Sequence, residues 1–207
     1  MKTTRIFLDT EFTGLHKQTT LISIGLISEC GKTFYAELTD YDRTQIDEWL
    51  LENVIDNLLY SEPPEDEENH YSMERHKDNP IGNPIDKSYS LSTRCNKIEL
   101  KEHLTKWLLQ FERIEIWSDC LAYDWVLFND IFEDAFSIPS NIDYIPYDIC
   151  TLFKTKGIDP DISREIFCEV FNSKGQNQTS DLVMKHNALY DAKIIKRCFE
   201  KLNVLIN

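Results

Sequence analysis

The sequence predicts an α/β domain built on a mixed β-sheet flanked by helices, and three observations carry that expectation. Short apolar runs near the start have the length and make-up of buried strands. The tetrapeptide Glu29-Cys30-Gly31-Lys32 has turn chemistry and separates two of them, which makes a hairpin. Downstream, stretches with apolar residues at helical spacing are mixed with at least one further strand, so strands and helices must share one core.

Taken in order, residues 5–8 form an apolar run that ends at Asp9, a buried strand. Residues 20–28 and 32–38 are the hairpin strands. After Asp42, the spacing of Ile46, Trp49, Leu50, Val54 and Leu58 predicts a first helix. Residues 61–93 are acidic and then rich in Asn, Pro and Ser, and they read as a long, partly mobile surface insertion. Order resumes with a helix over 99–111, a strand over 114–117 and a helix over 121–132. Two more helices are expected over 147–156 and 164–171, then a polar loop over 173–180. Residues 187–202 form the closing helix, with Asn187 at its N-cap.

The 207 residues, 42% of them hydrophobic, suit a single domain spanning 1–207 with a full core. Six scattered cysteines make no C-x-x-C pair and read as reduced thiols. There is no apolar run of membrane-spanning length, and the first apolar run is too short for a leader, so a cytoplasmic protein without a membrane partner is the expectation. The formal net charge of −14 argues against a bare phosphate-binding surface. It leaves room for an enzyme that meets phosphates through bound divalent cations, because the ions supply the positive charge.

The acids are the informative residues. Asp9 and Glu11 stand two apart at the end of the first strand, and a period of two puts both carboxylates on one face. A second Asp-x-Glu, Asp66 to Glu68, lies in the acidic insertion and reads as solvated charge. Asp124 shares a helix face with Leu121, Phe128 and Ile131, and Asp191 shares one with Ala188, Ile195 and Cys198. Both faces are apolar, where an unpaired carboxylate is costly. His186 lies just before the closing helix, in reach of a site around Asp191. Four converging acids repel one another, and hard cations such as Mg²⁺ or Mn²⁺ resolve that repulsion. Two such ions, with a histidine to take a proton from water, make the chemistry of phosphodiester hydrolysis.

Three segments then show a likeness. Phe7-Leu8-Asp9-Thr10-Glu11-Phe12-Thr13-Gly14 resembles the first exonuclease motif of the DEDDh 3'→5' exonucleases, Ala122-Tyr123-Asp124 the second, and His186-Asn187-Ala188-Leu189-Tyr190-Asp191-Ala192 the third. Ser118-Asp119-Cys120-Leu121-Ala122-Tyr123-Asp124-Trp125, Phe34-Tyr35-Ala36 and the stretch from Trp49 to Val54 resemble the RNase AS-type branch of bacterial and phage exoribonucleases. The resemblance implies a ribonuclease H-like fold and two Mg²⁺ or Mn²⁺ ions held by Asp9, Glu11, Asp124 and Asp191. It implies His186 as general base, and release of nucleoside 5'-monophosphates from 3' ends of single-stranded RNA. Adenylate-rich RNA as favoured substrate and a homodimer are implied as well. Phe12, Thr13 and Leu15 are expected against the terminal nucleotide. Many DEDDh enzymes carry an Asn four residues before the second-motif Asp; here that position is Cys120, and Asp119 is expected to substitute as a polar support behind the carboxylates. A DNA-directed exonuclease or proofreading-type subunit, a catalytically silent nucleic-acid-binding module and a nucleotide hydrolase are the competing readings.

Overall fold

The computed structural model describes residues 2–60, 90–169 and 184–204. Six strands, β1 (Thr3–Phe12), β2 (Leu21–Ser28), β3 (Thr33–Leu38), β4 (Leu91–Cys95), β5 (Arg113–Ser118) and β6 (Tyr147–Asp148), form one sheet in the order β4-β3-β2-β1-β5-β6. The β1–β2 and β2–β3 pairs are antiparallel, and the other three are parallel, so the sheet is mixed as expected. The helices are α1 (Glu48–Asn53), α2 (Lys97–Leu108), α3 (Leu121–Ile131), α4 (Ile149–Thr155), α5 (Arg164–Phe167) and α6 (Ala188–Val204). Among the described residues no helix is long and apolar enough to cross a membrane.

Strand periodicity divides the core. Ile6 and Leu8 of β1, Ile24 and Leu26 of β2, Phe34 and Ala36 of β3, and Ile114 and Ile116 of β5 point to one face and pack with Leu104 and Trp107 of α2 and Phe128 of α3. Phe7 of β1 and Ile27 of β2 point to the other, against Ile194, Ile195 and Cys198 of α6. Gly25 lies on this second face. A Cβ there would stand 2.3 Å from the backbone of Ala188 and Leu189, so only glycine lets the start of α6 rest on β2.

The structure corrects several boundaries. β1 begins at Thr3 and continues past residue 8 to Phe12, so the strand is longer than its apolar run and carries both acids toward its end, as their spacing of two requires. The single helix expected over 46–58 is instead a 3₁₀ turn (Arg43–Gln45), α1, and a second 3₁₀ turn (Ile55–Asn57). Asp42 accepts from the backbone N–H of Thr44, and Asp47 from that of Leu50, so each aspartate starts its own short helix. The expected insertion ran to residue 93, but β4 begins at Leu91 and pairs with β3. Tyr147 and Asp148 open a helix only after serving as a strand, with Asp148 capping α4. The helix expected over 164–171 ends at Phe167. The loop expected over 173–180 and residues 61–89 lie outside the described residues.

Candidate active site

Asp9 and Glu11 leave β1 on the α6 side. Thr10 between them points the other way, and its Oγ1 donates to Asp124 Oδ1 at 2.6 Å. Ser118, the last residue of β5, donates its hydroxyl to Asp124 Oδ2. These two hydroxyls hold the completely buried Asp124 where α3 leaves β5, beside the middle strand. On the far side Asp191, in the first turn of α6, accepts from the backbone N–H of His186 at 2.8 Å. Ligand atoms of Glu11, His186 and Asp191 all lie within 4.8 Å of one another. The structure therefore brings all five predicted residues to one place, from β1, α3 and the start of α6.

The electrostatics are those of crowded, largely buried acids at a cleft. Burial raises the Asp9 carboxyl well above its usual range, and the charges of Asp124, Asp191, Glu11 and Asp119 add to it. Burial, with Asp191 and Asp124, pushes Glu11 up to about 8. Burial lifts Asp191 to about 7 against the opposing N–H of His186. It lifts Asp124 to about 6 although Ser118 and Thr10 pull it down. Burial, and then the charge of Lys185, lowers His186 below its usual value, which keeps the imidazole neutral near pH 7. Carboxylates under this repulsion suit a hard divalent cation, and Glu11 and Asp191, with His186 beside them, have ligand atoms placed to share one.

Thr10→Val keeps the shape of the side chain and removes the donor to Asp124 Oδ1. It should cost about 1–3 kcal/mol, the range for a buried polar atom left unmet. Thermal unfolding should show a lowered midpoint for Thr10→Val, with Thr10→Ser close to the parent. Equal midpoints would mean the bond contributes nothing.

Beside the acids runs a cleft of about 470 Å³ whose wall includes Asp9, Asp119, Arg164, Glu165, Lys185 and His186. Asp119 supports this wall. Arg164 Nε and Nη2 each donate to one of its oxygens at 2.8 Å, and the Cys150 thiol donates to Oδ1 at 2.9 Å. Arg164 also reaches the carbonyls of Pro160 and Ile162 and lies over the Phe153 ring. The clasp fixes α5 against the start of α3. Nothing in the sequence marks Arg164 and Glu165 as wall residues, because there they are two ordinary residues of a short helix.

The residues expected against a terminal nucleotide are arranged unequally. Phe12 stacks on Tyr123 with ring centroids 5.3 Å apart and an interplanar angle of 12°. Thr13 is turned inward: its hydroxyl donates to Gln45 Oε1 at 2.5 Å and accepts from the backbone N–H of Thr20 at 2.8 Å. Leu15 is 71% exposed. Trp49, not singled out from the sequence as a site residue, sets its half-exposed indole against the His186 ring at 5.2 Å.

The chain is an α/β fold, a mixed six-stranded sheet flanked by helices, with an acidic cleft beside β1. No family model matches the chain, and no curated protein matches it. Among solved structures the chain is similar to the nuclease domain of 3'hExo, a DEDDh family member, bound to rAMP. The superposition covers 98% of this chain and 91% of that one, with a TM-score of 0.54 and 13% identity. At that identity the likeness is one of fold.

Proposed function

We propose that this chain is a divalent-metal-dependent 3'→5' exonuclease that shortens single-stranded RNA from its 3' end and releases nucleoside 5'-monophosphates. The observation that carries the reading is the meeting of Glu11, Asp191 and His186 ligand atoms within 4.8 Å of one another, with Asp9 and Asp124 close enough for the carboxylates to raise one another's pKa values. Asp9, Glu11, Asp124 and Asp191 are the proposed ligands of two Mg²⁺ or Mn²⁺ ions. When bound, such ions stabilise charge on the attacking and leaving oxygens of a phosphoryl displacement. His186, neutral at working pH, takes the proton of the attacking water as its oxygen bonds to phosphorus and the 3' oxygen of the preceding nucleotide departs. The half-exposed Trp49 indole, set against the His186 ring, offers a base-sized aromatic surface next to that residue, and exposed Lys185 supplies a positive charge for the strand.

The choice of RNA rests on the resemblance of the three motifs and on the nucleotide that the similar nuclease domain binds. Preference for adenylate-rich strands, a cytoplasmic setting and a homodimer belong to the same proposal. A 5'-labelled single-stranded RNA, matched with DNA, tests it on a gel with Mg²⁺ or Mn²⁺. The expected result is a ladder receding from the 3' end, abolished by EDTA and by Asp9→Ala. His186→Ala should slow it by about 10²–10⁴-fold, the usual contribution of a general base. Intact polymer with both metals would sink the exonuclease reading, and faster loss of DNA would redirect it to a deoxyribonuclease.

A further inference from the structure

Behind the cleft lies a buried polar chain that the catalytic reading does not use. Tyr35 and Glu37 stand on the α6 face of β3, and both are sealed from solvent at 0% and 1% exposure. Tyr35 Oη donates to Glu37 Oε1 at 2.7 Å. The same oxygen accepts from the backbone N–H of Leu59 at 2.5 Å and of Tyr60 at 3.2 Å. Tyr35 Oη in turn accepts from Asn187 Nδ2 at 3.2 Å. Asn187 is completely buried and adjoins His186. Its Nδ2 also donates to the carbonyl of Asn57, and Asn57 Nδ2 donates to the carbonyl of Lys185 at 3.1 Å. The residues on either side of His186 are thus clasped from β3 and from the turn before residue 60.

Strand register explains the reach of this clasp. Asp9 pairs with Gly25, and Gly25 with Tyr35, so the three lie in one row across β1, β2 and β3. The start of α6 lies on that row at Gly25. Asn187 meets Tyr35, while Asp191 comes within coulombic reach of Asp9. His186 itself sits at φ +62°, a left-handed conformation that a non-glycine residue holds only when its surroundings fix it. Burying a tyrosine hydroxyl, a carboxylate and an amide together carries a desolvation cost, which the network offsets only if every member is satisfied.

We propose that Tyr35 and Glu37 are positioning residues that act through Asn187 to set the place of the His186 imidazole. The proposal rests on the exonuclease reading for its catalytic consequence, but its structural part is measured without turnover. Tyr35→Phe removes one oxygen and keeps the ring. The expected result is displaced His186 imidazole resonances in ¹H–¹³C spectra of the Mg²⁺-loaded protein, identified by their loss in His186→Ala. With single-stranded RNA, kcat should fall about tenfold while KM stays within about twofold, the pattern of a misplaced reacting group. Glu37→Leu should behave alike. Glu37→Gln, which retains an oxygen for Tyr35 and Leu59, should restore both readouts to within about threefold of the parent.

Unmoved His186 resonances in Tyr35→Phe, in a protein with an unchanged thermal midpoint, would overturn the proposal. So would moved resonances with unchanged kcat, or equal losses in Glu37→Gln and Glu37→Leu. A parent protein that cleaves no RNA would overturn the exonuclease reading alone, and the resonances would still decide whether Tyr35 holds His186.

Discussion

Gly25→Ala should unseat the start of α6 and cost about 2–3 kcal/mol of stability together with roughly 10²-fold in activity. The residue is not in a left-handed conformation, so alanine meets no backbone strain at this position. The whole effect comes from contact. The new Cβ would sit 2.3 Å from the Ala188 carbonyl carbon and the Leu189 nitrogen, and 2.4 Å from the Ala188 oxygen. These are helix backbone atoms and cannot rotate aside, so the first turn of α6 must lift from the sheet. Overpacking of this kind typically costs about 1–3 kcal/mol, sometimes more. A chain of 207 residues loses roughly 5–10 °C in midpoint for such a change. The turn that lifts carries Asp191, and with it the N–H bond to His186. A displacement of about 1 Å in a reacting group is enough for a 10²-fold loss. Differential scanning calorimetry and single-turnover cleavage, run on the same preparation, test both effects. Parent-like values in both would refute the close packing of α6 on β2.

The acid cluster sets the second large effect. Stripped of divalent ions, the protein should lose stability as pH rises from about 5 to about 8, opposite to the usual behaviour of salt-bridged carboxylates. Burial first, and then the neighbouring carboxylates, push Glu11 up to about 8, Asp191 to about 7 and Asp124 to about 6, and Asp9 is raised as well. Each folded value lies above that of the unfolded chain. Each group's contribution is therefore fully present below the unfolded pKa near 4, and it is lost as pH rises through the folded value. His186 runs the other way: its lowered pKa favours the fold at higher pH, with a single group against four. A tenfold change in one protonation equilibrium is worth about 1.4 kcal/mol, so four raised carboxyls together make the loss between pH 5 and 8 larger than any one of them would. Excess Mn²⁺ at pH 8 should recover most of it, since the ion binds only the ionised folded cluster. Asp9→Asn should flatten the metal-free profile. Midpoints against pH, with EDTA and with Mn²⁺, measure this. A metal-free midpoint that rises toward pH 8 would mean the carboxylates are solvated rather than crowded.

The carboxylates were legible in the sequence because each breaks a local pattern. Asp9 and Glu11 extend an apolar strand, and Asp124 and Asp191 occupy apolar helix faces where only a special environment tolerates them. His186 is marked by its spacing from Asp191. Of the residues that position these five, Asp119, Asn187 and Tyr35 stand in or beside recognisable segments, but the partners they meet break no local pattern. Gly25 is one glycine inside a strand, and the atoms it must admit belong to Ala188 and Leu189. Tyr35 and Asn187 meet across 152 residues, and Asp119 and Arg164 across 45. Contacts at such separations depend on tertiary placement, which periodicity does not encode. The broken helix around Glu48 is a different case. Asp42 and Asp47 both have N-cap chemistry, but the apolar spacing from Ile46 to Leu58 concealed two starts beneath one period.

Asp9 lies in the first strand and Asp191 in the last helix, so nearly the whole chain runs between two side chains that face one cleft. A cation shared by them would close a loop of that length without any covalent bond. Loop closure removes entropy from the unfolded chain, and the effect grows slowly with loop length. Occupancy would thereby staple the carboxyl-terminal helix to the amino-terminal strand, and fraying of that helix would be governed by ion concentration. An ion bound in the cleft would then set how long the chain survives an encounter with a protease.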